Sequence, residues 1–287
     1  MHLQEKINNR QNDEDMLKCQ FAARHYYNAA EKYCALAFGS TLLSCLCILL
    51  PSGNKPLALL LPLLLDVIAF FLYYKMGRAV SAAARLRNYF DDTVLCFNRK
   101  SRTQSEMRAI QQLVHKACSK NEADCLTQIA NTGRDNPPGV KNWYEFSKEY
   151  TDSEVVFECQ TQNQWWNKRM ILGRLIAYIT ILLVCVVGFY FISNNHPDHS
   201  IRIFVCVLSL FITLLDRAFE NGRYFRISIE IEDDCKLLSS SKNKELLVEL
   251  QQRIESRREL RVVELNLFHK TISKKLSEEY EQISKEI

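Results

Sequence analysis

The sequence predicts an all-α membrane protein: four transmembrane helices in two hairpins, extending into a cytoplasmic helical stalk and a small cytoplasmic module. Three observations carry that reading. Apolar residues are bunched into paired runs, two between Ala35 and Tyr74 and two between Ile171 and Leu215, each nearly free of charge and near the length that crosses about 30 Å of hydrocarbon. Within each pair the connecting segment is too short for anything but a turn. Lys and Arg gather at the four ends away from those turns: Arg24 and Lys32; Lys75, Arg78, Arg85 and Arg87; Lys168 and Arg169; Arg217, Arg223 and Arg226. The turns carry only Lys55 and Arg202, which places both termini and the central segment in the cytoplasm.

Taken in order, the chain divides into a cytoplasmic N-terminal helix (residues 1–34), a first transmembrane hairpin (35–74), a cytoplasmic linker module (75–170), a second hairpin (171–216) and cytoplasmic C-terminal helices (217–287). The N-terminus lacks the basic-then-apolar order of a cleavable signal, so the first apolar run reads as a retained anchor. In the first segment Met16, Leu17, Phe21, Tyr27 and Ala30 recur at helical spacing, with Asn12 or Asp13 as the N-cap. The first span, Ala35 to Leu50, is slightly short at about 1.5 Å per residue, which puts Tyr33 or Pro51 and Ser52 at the interfaces. Pro56 opens the second span, Pro62 marks a kink within it, and Tyr73 and Tyr74 are interfacial aromatics. The third span runs from about Ile171 to Ile192 and the fourth from about Ile201 to Leu215.

Helical patterning continues past the membrane from the second and fourth spans, which is the basis for a stalk. The module predicts helices at Ser105 to Cys118 and Ala123 to Ile129, then a loop from Asn131 to Gly139 rich in Pro, Gly and Asn. Residues Asn243 to Ile287 lack Pro and Gly, and Phe268, Ile272, Leu276, Tyr280, Ile283 and Ile287 form one apolar stripe that requires a partner.

A formal net charge of +4 excludes a dedicated nucleic-acid binder with a saturated basic face. The 11 cysteines read as thiols in a reducing compartment, because Cys45, Cys47, Cys185 and Cys206 lie inside apolar runs and the outer turns hold none. Cys118 and Cys125 are too widely spaced for a zinc knuckle, so neither a metal nor a cofactor is expected. No glycine-rich phosphate loop, HExxH or nucleophile elbow occurs, and His25, His115, His196, His199 and His269 are scattered; the chain does not read as an enzyme.

Asp66, near the middle of the second span, is the sharpest single residue, since an ionisable group there is costly unless it faces protein or water. It reads either as a carboxylate ring lining a conduction path in a symmetric oligomer, or as the partner of Arg174, one turn inside the third span; both are pore or gate candidates. Trp143 and Tyr144, near Lys141, supply the flat faces and cations that nucleotides need, and Arg99, Lys100, Arg102 and Arg169 are further candidate phosphate contacts. A solvated charged face is the competing reading of these cations, and an interfacial belt that of Trp165 and Trp166. Four short spans cannot easily enclose water, so a cyclic homo-oligomer is expected, a tetramer favoured.

Three patterns on this frame point to one family: INNRQNDEDMLKCQFAARHYYNAAEKY, with Ile7, Gln11, Asn12, Leu17, Ala23, Arg24, Tyr27 and Ala30; NWY, residues Asn142, Trp143 and Tyr144; and CQTQNQWW, with Cys159, Gln160, Asn163 and Trp166. Together they resemble the four-transmembrane (S-4TM) pore-forming effectors found beside nucleotidyltransferases in bacterial anti-phage defence operons, over essentially the whole chain. That resemblance implies a bacterial inner-membrane effector, gated by a cyclic or linear oligonucleotide from a nucleotidyltransferase encoded nearby and opened by ligand binding or by its release. Opening would stop growth of an infected cell. The alternative is a non-conducting, membrane-anchored scaffold or receptor. A gap-junction-like channel shares the topology but needs longer, cysteine-bearing outer loops.

Overall fold

The computed structural model describes residues 2–47, 55–97, 102–146, 148–162, 165–195, 200–240 and 243–263. Among these the regular elements are helices: α1 (Leu3–Gln11), α2 (Glu14–Leu46), α3 (Lys55–Val94), α4 (Gln104–Lys120), α5 (Glu122–Ala130), α6 (Asp152–Gln162), α7 (Trp165–Asn195), α8 (Ser200–Ser240) and α9 (Lys244–Glu259). Asp13 opens α2, its carbonyl accepting from both Met16 and Leu17 at 2.9 Å. A reciprocal capping box between Thr103 and Glu106 starts α4, and α3 continues through Pro62. Gly139 closes the loop after α5, where a β-carbon would lie 1.9 Å from the Asn131 carbonyl oxygen.

Two expectations change. The polar segment Leu3–Gln11 forms a helix of its own that buries only Ile7 and Gln11, too thin an apolar face to be read as periodicity. The C-terminal helix stops at Glu259, and residues 261–263 continue without helical structure. No Pro or Gly ends it; side chains of α7 and α8 take the backbone groups that the next turn would use, as described below. The stripe from Phe268 to Ile287 lies outside the described residues.

The chain forms two compact units. The first comprises Met1–Ala29, Ala79–Lys168 and Arg226–Leu260. Its core is conventional: Leu86, Phe90 and Val94 on α3 and Leu247, Leu250 and Ile254 on α9 each form a helical stripe, and they pack with Phe21, Ile110, Val155, Cys159 and Ile231. α6 grows from the short apolar stretch at Val155.

In the second unit, Ala30–Arg78, Arg169–Phe225 and Arg261–Ile287, large apolar side chains stand on the surface as well as in the core, which holds Met76, Ile171 and Leu214. Leu63, Phe70, Phe71, Val184, Tyr190, Phe191 and Phe219 are exposed, while Ala37, Ser40, Thr41, Ser44, Ala69 and Thr213 are buried. Small and hydroxyl-bearing contacts inside and large apolar side chains outside are what helices require when lipid is the solvent. The Ser40 hydroxyl donates to the Leu65 carbonyl at 2.8 Å, and that of Ser44 to the Pro62 carbonyl at 3.3 Å. Among the described residues, two stretches, Leu60–Val94 and Ile171–Asn195, are long and apolar enough to cross a membrane. The expected first span lies in α2 as far as Leu46 and the fourth in α8; residues 48–50 are outside the described set.

In the first unit the Cys19 thiol donates to the Leu86 carbonyl at 3.4 Å, and burial pushes it up to about 12 from an unfolded value of 9.0. The folded protein therefore keeps a proton that the unfolded chain releases. The resulting stability is whole below pH 9.0 and falls by about 1.4 kcal/mol per pH unit above it. Denaturant titrations in detergent from pH 8 to 11 should show Cys19→Ala losing stability less steeply than the parent protein; parallel slopes would contradict the assignment.

Candidate functional site

Among the described residues no strand pairs with the backbone of residues 142–146 and 148–150, and amide side chains from the N-terminus take that role. Gln11 accepts the Tyr144 N–H at 2.8 Å and returns a bond to the Tyr144 carbonyl at 3.1 Å. Asn12 accepts the Asn142 N–H at 3.0 Å and donates to the Asn142 side-chain carbonyl at 2.9 Å. Asn142 adopts φ of 53°, a left-handed conformation that asparagine tolerates better than most residues. Gln4 repeats the arrangement further along, accepting from Tyr150 N–H at 2.9 Å and donating to the Lys148 carbonyl at 3.0 Å. Arg24 of α2 reaches the preceding loop at the Pro138 carbonyl, 2.9 Å.

So held, Tyr144 drops into the core, and its hydroxyl donates to Asp91 at 2.9 Å. Asp91, 1 % exposed, is the hub of the unit. Its second oxygen accepts from Gln251 at 3.1 Å and pairs with Arg258 at 2.8 Å. Gln160 of α6 extends the network, donating to the Leu247 carbonyl at 3.1 Å and to Gln251 at 3.2 Å. Burial disfavours the Arg258 charge, but Asp91 more than offsets this and holds the guanidinium above its ordinary range. One turn before Asp91, Arg87 donates to Gln20 at 2.6 Å and lies 3.9 Å from the centre of the Trp143 ring. Burial first, and Arg258 second, draw the Arg87 value down; an arginine stays charged there nonetheless.

The residues singled out from the sequence are dispersed. Tyr144 is buried with its hydroxyl bound, so it anchors the loop and offers no face to a base. Trp143 is half-buried, one face occupied by Arg87. Lys141 is exposed. Arg102 pairs with Asp92, sits 5.3 Å from the centre of the Tyr89 ring, and lines a pocket of about 240 Å³ with Ser81, Arg85, Asn88, Glu255 and Glu259. Asn88 joins that pocket to the hub, accepting from Arg258 at 3.2 Å. Arg99 and Lys100 lie outside the described residues. Arg169 belongs to α7, but its side chain is outside the described set.

In the second unit the hydroxyls of Ser44 on α2 and Ser209 on α8 face the Asp66 carboxyl. The Asp66–Arg174 ion pair allowed by the sequence does not form. Arg174 donates instead to the Val263 carbonyl at 3.0 Å, an acceptor that depth along the span could not disclose.

The sequence profile of the SMODS-associating 4TM effector domain matches residues 5–287. The chain belongs to this family. No curated protein and no solved structure matches it. Membership makes this S-4TM protein a membrane effector of anti-phage defence, associated with SMODS nucleotidyltransferase signalling. Several of the residues that carry the family resemblance meet in space: Gln11 and Asn12 on Asn142 and Tyr144, Arg24 on the loop before them, and Gln160 within the Asp91 network. Sequence reasoning missed Asp91, Gln251 and Arg258. The legible signal was an Arg87–Asp91 pair at i,i+4 beside the apolar stripe of Leu86, Phe90 and Val94.

Arg258→Leu leaves Asp91 buried without its counter-charge and should cost roughly 3–5 kcal/mol, against about 1–2 kcal/mol for Tyr144→Phe, which removes one hydrogen bond. Denaturant midpoints in detergent measure both. A Tyr144→Phe loss equal to or greater than that of Arg258→Leu would remove Asp91 from the centre of the network.

Proposed function

We propose that this S-4TM effector is an oligomeric channel or pore of the bacterial inner membrane. Four spans per chain form two hairpins, and residues 1–34, 75–170 and 217–287 lie in the cytoplasm as a helical stalk and sensing module. Asp66 carries the reading: a carboxyl placed within an apolar-surfaced unit and faced by hydroxyls from two other helices. Ionisable groups at that depth are retained where they face protein or water. Repeated around a cyclic assembly, a tetramer favoured, Asp66 gives a ring of carboxylates that attracts cations.

Gating comes from the cytoplasm, by a cyclic or linear oligonucleotide made by the associated nucleotidyltransferase. α2, α3, α7 and α8 each contribute residues to both compact units, so ligand-dependent change in the first unit has continuous helix through which to act on the second. A ligand favouring the open state opens the pore; one favouring the closed state holds it shut until it is removed. Either way, opening arrests the infected cell. The pocket at Arg85, Asn88 and Arg102 and the flank of Trp143 are the cytoplasmic surfaces where cations and an aromatic face lie near the hub.

Purified protein in liposomes should pass ions or release dye in one ligand state, tested with candidate cyclic and linear oligonucleotides. Silence with and without them would overturn the proposal. Asp66→Asn should cut conductance or cation selectivity while leaving the assembly folded. If the variant loses stability alone, with transport unchanged, Asp66 serves packing through Ser44 and Ser209 and does not line the path; a folded parent protein that never conducts is the membrane-anchored scaffold.

A further inference from the structure

Two arginines of the second unit are buried more deeply than their partners justify. Arg174 on α7 is 9 % exposed and Arg217 on α8 is 4 % exposed. Each spends one nitrogen on the segment after α9: Arg217 Nη1 donates to the Arg261 carbonyl at 2.7 Å, and Arg174 Nη1 to the Val263 carbonyl at 3.0 Å. Arg217 Nη2 pairs with Asp216, its neighbour in sequence. The remaining nitrogens, Nε and Nη2 of Arg174 and Nε of Arg217, are buried and have no hydrogen-bond partner. Native structures seldom leave buried donors so, least of all charged ones.

The geometry of the open donors is informative. Nε and Nη2 form one edge of a guanidinium, the fork that grips two oxygens of a carboxylate or phosphate at once. Arg174 presents that whole edge. No carboxylate among the described residues pairs with it, and the carbonyl on its other side is neutral. Beside these arginines, Leu172 and Ile176 on α7 and Leu215 and Phe219 on α8 are exposed apolar side chains. They are therefore at the border between the apolar surface and the basic ends of the spans, the level at which lipid phosphates lie.

We propose that Arg174 and Arg217 form a site for a phosphate-bearing anion at the cytoplasmic end of the spans, with the Arg174 fork as its principal contact. The site rests on the second unit spanning the membrane, and it does not require that the protein conduct. Its occupant supplies charged acceptors to the three open nitrogens. Because the same guanidiniums hold the carbonyls of residues 261 and 263, occupancy also fixes the segment by which the chain leaves α9.

The test uses the full-length protein in vesicles of phosphatidylcholine alone, in vesicles containing phosphatidylglycerol, and in phosphatidylcholine vesicles with millimolar inorganic phosphate. Thermal unfolding and native mass spectrometry of retained lipid are the readouts, neither of which depends on conductance. The parent protein should gain several degrees in Tm with phosphatidylglycerol, and Arg174→Gln should lose at least nine-tenths of that gain, whereas Arg226→Gln, outside the site, keeps it. An equal gain with inorganic phosphate in phosphatidylcholine identifies a soluble anion as the occupant of the same site. Should Arg174→Gln fail to fold, Arg174→Lys, which keeps the charge and loses the fork, carries the test. The site is overturned if the parent responds to neither anion, or if the variant at Arg174 responds as the parent does.

Discussion

Burying the Asp91 carboxylate of α3 obliges three other parts of the chain to gather around it. Its two oxygens are divided among Tyr144 from the loop after α5, Gln251 and Arg258 from α9, and, through Gln251, Gln160 from α6. An isolated ionised carboxyl in such a place would be prohibitively costly, so Asp91 stays inside only because it has partners, Arg258 above all. A buried pair of this kind contributes little net stability compared with a well-packed apolar substitute. What it contributes is arrangement. Apolar stripes on α3 and α9 would tolerate several registers, but only one brings Arg258 and Gln251 to Asp91 while Gln160 reaches the Leu247 carbonyl.

The second unit obeys the opposite solvent rule. Many of its large apolar side chains face outward, although Met76, Ile171 and Leu214 are buried, and hydroxyls lie inside, where Ser40 and Ser44 bond to carbonyls of α3 and Ser44 and Ser209 face Asp66. Where lipid is the solvent there is no hydrophobic gain in bringing helices together, and close packing of small residues and such bonds is what holds them. α2, α3 and α8 each satisfy both rules along one continuous helix. On α3, for instance, Phe70 and Phe71 are exposed while Leu86 and Phe90 are fully buried. That reversal explains why the average composition is uninformative and why the apolar runs, taken separately, are not.

Much of this was legible. The apolar runs marked the helices of the second unit, and the module helices were placed to within a residue or two, since Ser105 to Cys118 and Ala123 to Ile129 fall inside α4 and α5. Sequence periodicity failed where a long-range partner decides local structure. α9 ends at Glu259 without Pro or Gly because Arg217 takes the Arg261 carbonyl and Glu220 accepts the Arg261 N–H at 3.2 Å, contacts some forty residues apart. Arg174 illustrates the same point. Depth along a helix suggested Asp66 as its partner, but a backbone carbonyl 89 residues away is what it binds. Tyr144 read as a flat face for a nucleotide because cations lie near it in sequence, whereas Gln11 fixes its backbone and its ring is buried.

That last relation bears on how a sensor built from this fold would work. The loop carrying Asn142 and Tyr144 is fastened by side-chain amides, each bond worth a net of about 0.5–1.5 kcal/mol, whereas the carboxylate it reaches is fastened on its other side by a charged arginine. The loop is thus the cheaper half of the assembly to move, and Trp143, stacked on Arg87 one turn from Asp91, sits at the junction of the two halves. A ligand shifts an equilibrium only by as much as it binds one state better than the other. Under the proposed reading, a ligand competing for Arg87 or Trp143 acts against these amide bonds and the buried Tyr144 side chain and not against the Asp91–Arg258 pair, so its preference for the displaced loop must exceed the cost of freeing that loop.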